Sequence, residues 1–279
     1  MNNAKLYKSK KGLQQADATH VIENFSKYLK WKDHKETILD VGSGDGHTLC
    51  EVLLPKIADK VDRVIGTDNS NEMLEYARGE YGCQQIVFEK LNIECTDVPE
   101  KFQEKFDHIF SFFCLHWVVK QSIAFQNIYT MLKPDGEILL TFLAKNPIYD
   151  IYEEMAKTEK WAKYKKDYKK YLSPYHNSPD PEDEVRTILN KVGFHVKVCR
   201  SDRRCYTYPN LATVNASVKA VNPFLPNIPE EEHESYFEDY DNIMKKNKDI
   251  IWEKVNNNVD DGKFHCFYEI IIVVASKGF

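Results

Sequence analysis

The chain has 279 residues, 42% of them hydrophobic and 29% charged, with a formal net charge of -5. That length is enough for one sizeable core with an insertion and a buried binding site. The lack of a basic excess argues against nucleic acid as a partner, because phosphate binding draws on clustered Lys and Arg.

The seven cysteines are odd in number, scattered, and form no Cys-x-x-Cys pair, so they read as free thiols of a reducing compartment. The opening MNNAKLYKSKKGLQQADA lacks the apolar run of a signal peptide, and no later stretch is long enough to span a bilayer. The expectation is a soluble, cytoplasmic protein.

In chain order, Ala18 to Trp31 carries Val21, Ile22, Phe25, Tyr28 and Leu29 at helical spacing, and a polar turn leads to a short strand over Thr37 to Val41. A glycine turn follows, then a helix ending near Lys56, a strand over Asp62 to Asp68 and a helix over Asn71 to Tyr81. This alternation calls for a parallel sheet with right-handed crossovers. Ile86 to Leu91 and Phe106 to Phe112 read as the third and fourth strands, Gln121 to Leu132 as a helix, and Glu137 to Phe142 as a fifth strand after the turn Lys133-Pro-Asp-Gly136.

From Asn146 the character changes to charged and aromatic helices, an apparent insertion. A helix over Asp180 to Val192 and a strand over His195 to Tyr208 return to the sheet. Leu211 to Val255 reads as a second helical insertion around Val221-Asn-Pro-Phe224, and Phe264 to Ala275 as the closing strand. The chain thus divides as one domain, with a core over 1–145, 180–208 and 263–279 and cap insertions at about 146–179 and 209–262. Insertions after the fifth and sixth strands would cover the ligand crevice at the carboxyl edge of the sheet only if the chain doubles back.

Gly42, Gly44 and Gly46 stand between a strand and a helix, the setting of a nucleotide-binding turn. The spacing is Gly-x-Gly-x-Gly and His47 takes the place of the last glycine of the dinucleotide fingerprint. Asp40 and Asp45 would repel a pyrophosphate. Asp68, closing the second strand, is placed to accept hydrogen bonds from ribose hydroxyls. S-adenosylmethionine suits this set, since it has adenine and ribose, no phosphate, and two cations, a sulfonium and an ammonium. Asp40 would attract the ammonium, whereas beside a pyrophosphate it would cost affinity. Asp45 reads more simply as an acid favoured by a helix N-terminus.

The segments ILDVGSGDG at 38–46, VIGTDNS at 64–70, LNIE at 91–94, FDHIFSFFCLHWV at 106–118 and LKPDGEILL at 132–140 resemble the successive motifs of class I methyltransferases. MNNAKLY, LQQADA, NPIYDIY, TEKW, SPYH and VNPF resemble the insect juvenile hormone acid O-methyltransferases, over nearly the whole chain. The resemblance implies an α/β, Rossmann-like class I methyltransferase fold: a seven-stranded, mostly parallel sheet with an antiparallel last strand, under a helical cap. It implies S-adenosylmethionine as cofactor, released as S-adenosylhomocysteine, no metal, and methyl transfer to the carboxylate of farnesoic or juvenile hormone acid. Fatty or other aliphatic acids as acceptors, or a relative that binds terpenoids without turnover, are the competing readings. The expected partner is a small apolar carboxylic acid, for a monomer or homodimer.

By the same resemblance, Asp40, Gly42, Ser43 and Gly44 surround the methionine half of the cofactor, and Asp68 with Asn69 binds the ribose. Asn92 and Ile93 border the adenine, and Ser111 sits beside the amino acid moiety. The family usually has Asp where Asn92 stands; an Asn oxygen can still accept from the exocyclic amine.

A carboxylate acceptor is already a nucleophile at neutral pH, so its methylation needs placement and desolvation and no general base. Neutral donors suit it better than Arg, because a tight ion pair would blunt the nucleophile. The resemblance points to Gln14 and Trp117 as those donors, with Gln15 as competitor to Gln14. His116 either binds the acceptor carboxylate or orients Trp117. Tyr149, Tyr152, Tyr175, His176 and Phe224 would line an apolar channel, or serve as aromatic packing within the cap. No His and carboxylate cluster has metal-ligand spacing, and the lysine-rich stretch Lys163 to Lys170 reads as a solvated helix face.

Overall fold

The strands of the first half are apolar runs with few polar breaks, as expected of a sheet covered on both faces. In the computed structural model, which describes residues 12–255 and 258–278, they form a sheet in the order β3-β2-β1-β4-β5-β8-β6. The MNNAKLY motif lies outside the described residues. Strands β1 (Glu36–Val41), β2 (Val61–Asp68), β3 (Ile86–Lys90), β4 (Phe106–Phe112) and β5 (Leu132–Lys145) pair in parallel. β4 shows the pattern at its fullest, with every residue buried. β6 (Phe194–Tyr208) joins only through β8 (Asn258–Lys277), which runs antiparallel to both β5 and β6.

The helices cover both faces. On one lie α1 (Gly12–Phe25) and a π-helical turn, Thr48–Leu53, continued by α2 (Leu54–Ile57), with α3 (Asn71–Tyr81) following β2. On the other lie α4 (Gln121–Met131) and α7 (Pro181–Val192). Between β5 and α7 the chain forms α5 (Pro147–Lys157) and α6 (Glu159–Ala162); after β6 it forms α8 (Leu211–Val221) and α9 (His233–Met244). These four helices make the cap. Trp161 ties α6 to α9, its indole nitrogen donating to Asp239 Oδ2 at 2.9 Å and its ring meeting Tyr236 edge-on at 5.3 Å.

Three expectations change. The first helix starts earlier than the apolar spacing suggested and ends at Phe25, passing into a 3-10 turn over Ser26–Tyr28. Its buried stripe runs from Leu13 through Asp17, Ala18, Val21 and Ile22 to Phe25, so the polar Asp17 hid the N-terminal turn. Asp17 is buried because Arg204 Nε and Tyr268 Oη donate to its two oxygens at 2.9 and 2.7 Å, tying α1 to β6 and β8.

Second, the later insertion is not helical to its end. Ile250–Val255, rich in β-branched residues, is an eighth strand, β7, antiparallel to β8, so the closing strand begins at Asn258, earlier than expected. Third, no doubling back is needed to bring the two cap segments together. Because β5 and β6 are both antiparallel to β8, their carboxyl ends lie on one edge, and both cap segments rise from it. Among the described residues no helix is long and apolar enough to cross a membrane.

Candidate active site

At the carboxyl end of β1 the glycine turn wraps around the end of β2. The amides of Gly42 and Ser43 both donate to Thr67 O, at 2.7 and 2.8 Å, and Gly46 N–H donates to Ser43 O at 2.9 Å. Gly42 has φ of 77° and Gly44 of 55°, conformations that disfavour a side chain. A Cβ on Gly42 would lie 2.2 Å from Cys114 Sγ, whereas one on Gly44 would meet nothing within 4 Å. Gly42 is therefore glycine for packing, and Gly44 leaves the floor of an open cleft bare.

That cleft, about 1000 Å³, is lined by Asp40, Gly42, Ser43, Gly44, Asp68, Asn69, Asn92 and Ile93 on the sheet side. Lys170, Tyr171, Lys219 and Asn222 of the cap line it as well. Asp68 holds the turn in shape, Oδ2 accepting from Gly44 N–H at 2.9 Å and Oδ1 from Ser70 N–H at 2.8 Å. Each oxygen keeps a lone pair for a ribose hydroxyl. Asn92 Oδ1 accepts from Glu94 N–H at 3.0 Å, closing an Asx turn beside Ile93. Asp45 Oδ1 accepts from His47 N–H at 3.3 Å, as an acid at a helix start does.

Asp40 differs from the other acids. It is 2% exposed, and its Oδ1 has no hydrogen-bond partner among the described residues. Burial pushes the carboxyl up to about 7, the Ser43 hydroxyl offsets part of this, and Asp68 adds to it. A buried carboxyl without a cation, at the wall of a cleft, is what an ammonium group would complete. Ser111 is placed otherwise than the resemblance implied. It has no exposed surface, does not line the cleft, and donates to Val41 O at 2.8 Å, so it holds β1 against β4 beneath the turn.

A second cavity opens from this cleft. Phe113, Trp117 and Val221 line both spaces and mark the junction. Phe113 reaches it through a left-handed backbone, φ 56°, which a bulky residue adopts only under constraint, just after β4. The cavity is narrow, about 100 Å³, and apolar, with Leu143, Ile151, Val214, Val218, Met244 and Phe264 among its walls.

Its polar lining includes Gln14, His116, Trp117 and Asn146, with no Lys or Arg among the described residues. Gln14 Oε1 is buried with no hydrogen-bond partner among the described residues. His116 is 3% exposed, and burial pushes its imidazole down to about 3, so the ring is neutral. Its Nδ1 accepts from Leu143 N–H at 3.4 Å, which leaves the proton on Nε2. The ring also sits 5.1 Å from that of Trp117.

Of the predicted acceptor-side residues, Gln14, His116, Trp117, Tyr149 and Tyr152 come together in this cavity. Four others do not. Gln15 is exposed one position along α1 from Gln14. Tyr175 packs on Phe142 at the opposite face of the sheet and donates to Gln121 Oε1 at 3.1 Å. His176 pairs with Asp150 at 3.0 Å and backs Tyr149 from outside the cavity. Phe224 packs edge-on against Tyr152 at 5.0 Å, one layer behind the wall.

The sequence reading missed Phe113, Asn146, Val221 and the β7–β8 residues Ile250, Phe264 and Cys266. The aromatic run FSFFCLHW was a signal for the first; the last three depend on a hairpin whose first arm, Ile250–Val255, reads as helix in the sequence. No group of three or more His, Cys, Asp or Glu among the described residues could hold a metal ion.

Comparison with known proteins agrees with this geometry. A family model described as a methyltransferase domain matches residues 13–197. The juvenile hormone acid O-methyltransferase of Bombyx mori is 36% identical, over 99% of this chain and 98% of its own, and that of Drosophila melanogaster is 34% identical, over 99% and 93%. The fold is also that of a solved structure, phosphoethanolamine N-methyltransferase 2 from Haemonchus contortus in complex with S-adenosyl-L-methionine. That match has a TM-score of 0.54 at 16% identity and covers 99% of this chain and 57% of the other. With a class I methyltransferase fold and relatives matched along almost its whole length, the chain belongs to the juvenile hormone acid O-methyltransferase family.

Proposed function

We propose that the protein transfers a methyl group from S-adenosylmethionine to the carboxylate of a sesquiterpenoid acid, farnesoic acid or juvenile hormone acid, giving the methyl ester. The observation that carries this reading is the narrow apolar cavity with neutral polar groups, joined to the nucleoside cleft at Phe113, Trp117 and Val221. When bound, the cofactor supplies an electrophilic methyl group on a sulfonium.

The chain's own residues supply the rest. Asp40 pairs with the ammonium, the backbone at Gly42, Ser43 and Gly44 floors the methionine half, and Asp68 with Asn69 takes the ribose. Asn92 and Ile93 flank the adenine. On the acceptor side, Gln14, Trp117 Nε1 and His116 Nε2 donate to the carboxylate without a formal charge, so they orient it and leave its lone pairs reactive. The apolar walls exclude water from the reacting pair. Seven free thiols suit a cytoplasmic setting, and we read the protein as a monomer or homodimer that needs no metal.

The test is transfer of a labelled methyl group from S-adenosylmethionine to a panel of acids. Ester formation with farnesyl-chain acids is expected. A preference for straight-chain fatty acids would overturn the sesquiterpenoid assignment, and no product with any acid despite cofactor binding would overturn the enzymatic one.

A further inference from the structure

Among the polar groups that line the acceptor cavity, two buried hydroxyls have no use in carboxylate binding. Tyr149 and Tyr152 are 1% and 0% exposed, and both line the cavity. They lie three residues apart on α5 and so share one face of that helix. Neither hydroxyl has a hydrogen-bond partner among the described residues.

Three other buried tyrosines are satisfied. Tyr175 Oη donates to Gln121, Tyr268 Oη donates to Asp17, and Tyr236 Oη accepts from Asn222 and Lys165. Leaving two phenols dry in an apolar cavity is costly, and nothing in packing requires the oxygen, since Phe would fill the same space. Burial also drives both hydroxyls further from ionisation, so they remain neutral donors. They are not placed for the reacting carboxylate. That group must sit where cavity and cleft meet, at Phe113, Trp117 and Val221, and Tyr149 and Tyr152 line the cavity but not the cleft.

Building on methyl transfer to an apolar acid, we propose that the hydroxyls of Tyr149 and Tyr152 recognise an oxygen atom, an epoxide or other uncharged acceptor, carried on the hydrocarbon chain of the substrate away from its carboxylate. A purely hydrocarbon chain buries both phenols unpaired, while an oxygenated chain satisfies them. The cavity thereby discriminates between two acids that differ by one oxygen.

The experiment compares a farnesyl-chain acid with the same acid bearing an epoxide on its chain, in wild type, Tyr149→Phe, Tyr152→Phe and the double variant. Wild type is expected to favour the epoxide in kcat/KM by about tenfold or more. The double variant is expected to bring that ratio close to one. A merely structural role for the tyrosines would lower both acids together and leave the ratio unchanged, and that result overturns the proposal, as does a wild type that prefers the hydrocarbon acid. Calorimetric titration of each acid in the presence of S-adenosylhomocysteine reads the same ratio as affinities. Absence of turnover would therefore refute the proposed reaction while the hydroxyls are still tested by binding.

Discussion

The sharpest test of the cofactor site is the charge on Asp40. Its carboxyl is raised from the ordinary carboxylate range to about 7 by burial above all, and its Oδ1 has no partner. A displacement of that size corresponds to about 4 kcal/mol between the charged and neutral forms. An ammonium beside it favours the charged form and lowers the pKa in the complex, so binding releases a proton. Affinity should therefore rise with pH and level off above about pH 7. The assay is calorimetry with S-adenosylhomocysteine, which keeps the ammonium, between about pH 5.5 and 8.5 in buffers of different ionisation enthalpy. Near pH 7 about half a proton should be released per ligand bound.

Asp40→Asn should weaken binding by about a hundredfold or more and flatten the pH profile. The same variant should be more stable without ligand. A raised carboxyl pKa penalises the folded state as pH climbs from the unfolded value through about 7, and the amide removes that penalty. A pH-independent wild type, or a variant within about threefold of it, would refute the pairing of Asp40 with the ammonium.

Four further outcomes are expected. Gln14→Ala and Trp117→Phe should each lower kcat/KM for the acid by about tenfold to a hundredfold, as loss of a hydrogen bond to a charged group does, and leave the Kd of S-adenosylhomocysteine nearly unchanged. Gly44→Ala should fold with a penalty of about 1 kcal/mol, read as a small fall in Tm, yet lose cofactor affinity, whereas Gly42→Ala should be destabilised outright by its clash with Cys114. With cofactor saturating, a pH profile of kcat should show no histidine limb, because His116 is pushed down to about 3; a limb near neutral pH that vanishes in His116→Asn would contradict its neutrality. Away from the site, His108→Ala should cost about 3–5 kcal/mol in denaturant unfolding, since it strips the buried Glu36 of a partner 3.2 Å away at the amino end of the sheet.

The cofactor half of the molecule was legible because local sequence determines it. A strand, a glycine turn and a strand-end acid lie within one βαβ unit, and periodicity plus turn chemistry fix Asp40, Gly44 and Asp68 in space. The acceptor half was legible only in part, because its walls come from α1, the β4 turn, α5, α8, α9 and the β7–β8 hairpin, brought together by tertiary packing. Gln14 and Gln15 are equivalent as letters, and the rotation of α1 alone decides which one faces the cavity. Tyr149 and Tyr175 are both buried aromatics of the cap segment, yet they end on opposite faces of the sheet. The strand Ile250–Val255 was read as helix because its partner in β8 was out of local view.

Seen together, the two cavities divide the charge. On the proposed reading, the cleft that takes the nucleoside has its buried carboxyl at Asp40, matched to a ligand with positive charge, and the acceptor cavity has no Lys or Arg among the described residues to match the negative acid. Matching both ligands with full counter-charges would tighten both ground states, and binding energy spent there does not lower the barrier. If neutral donors hold the acid, as proposed, its carboxylate is drawn within the apolar enclosure toward the sulfonium whose methyl it attacks. On that reading, the neutral groups at Gln14, His116 and Trp117 favour turnover of the acid over its tight binding. Gln14→Lys should bind the acid more tightly while turning it over more slowly, and a rise in both affinity and kcat would defeat this account.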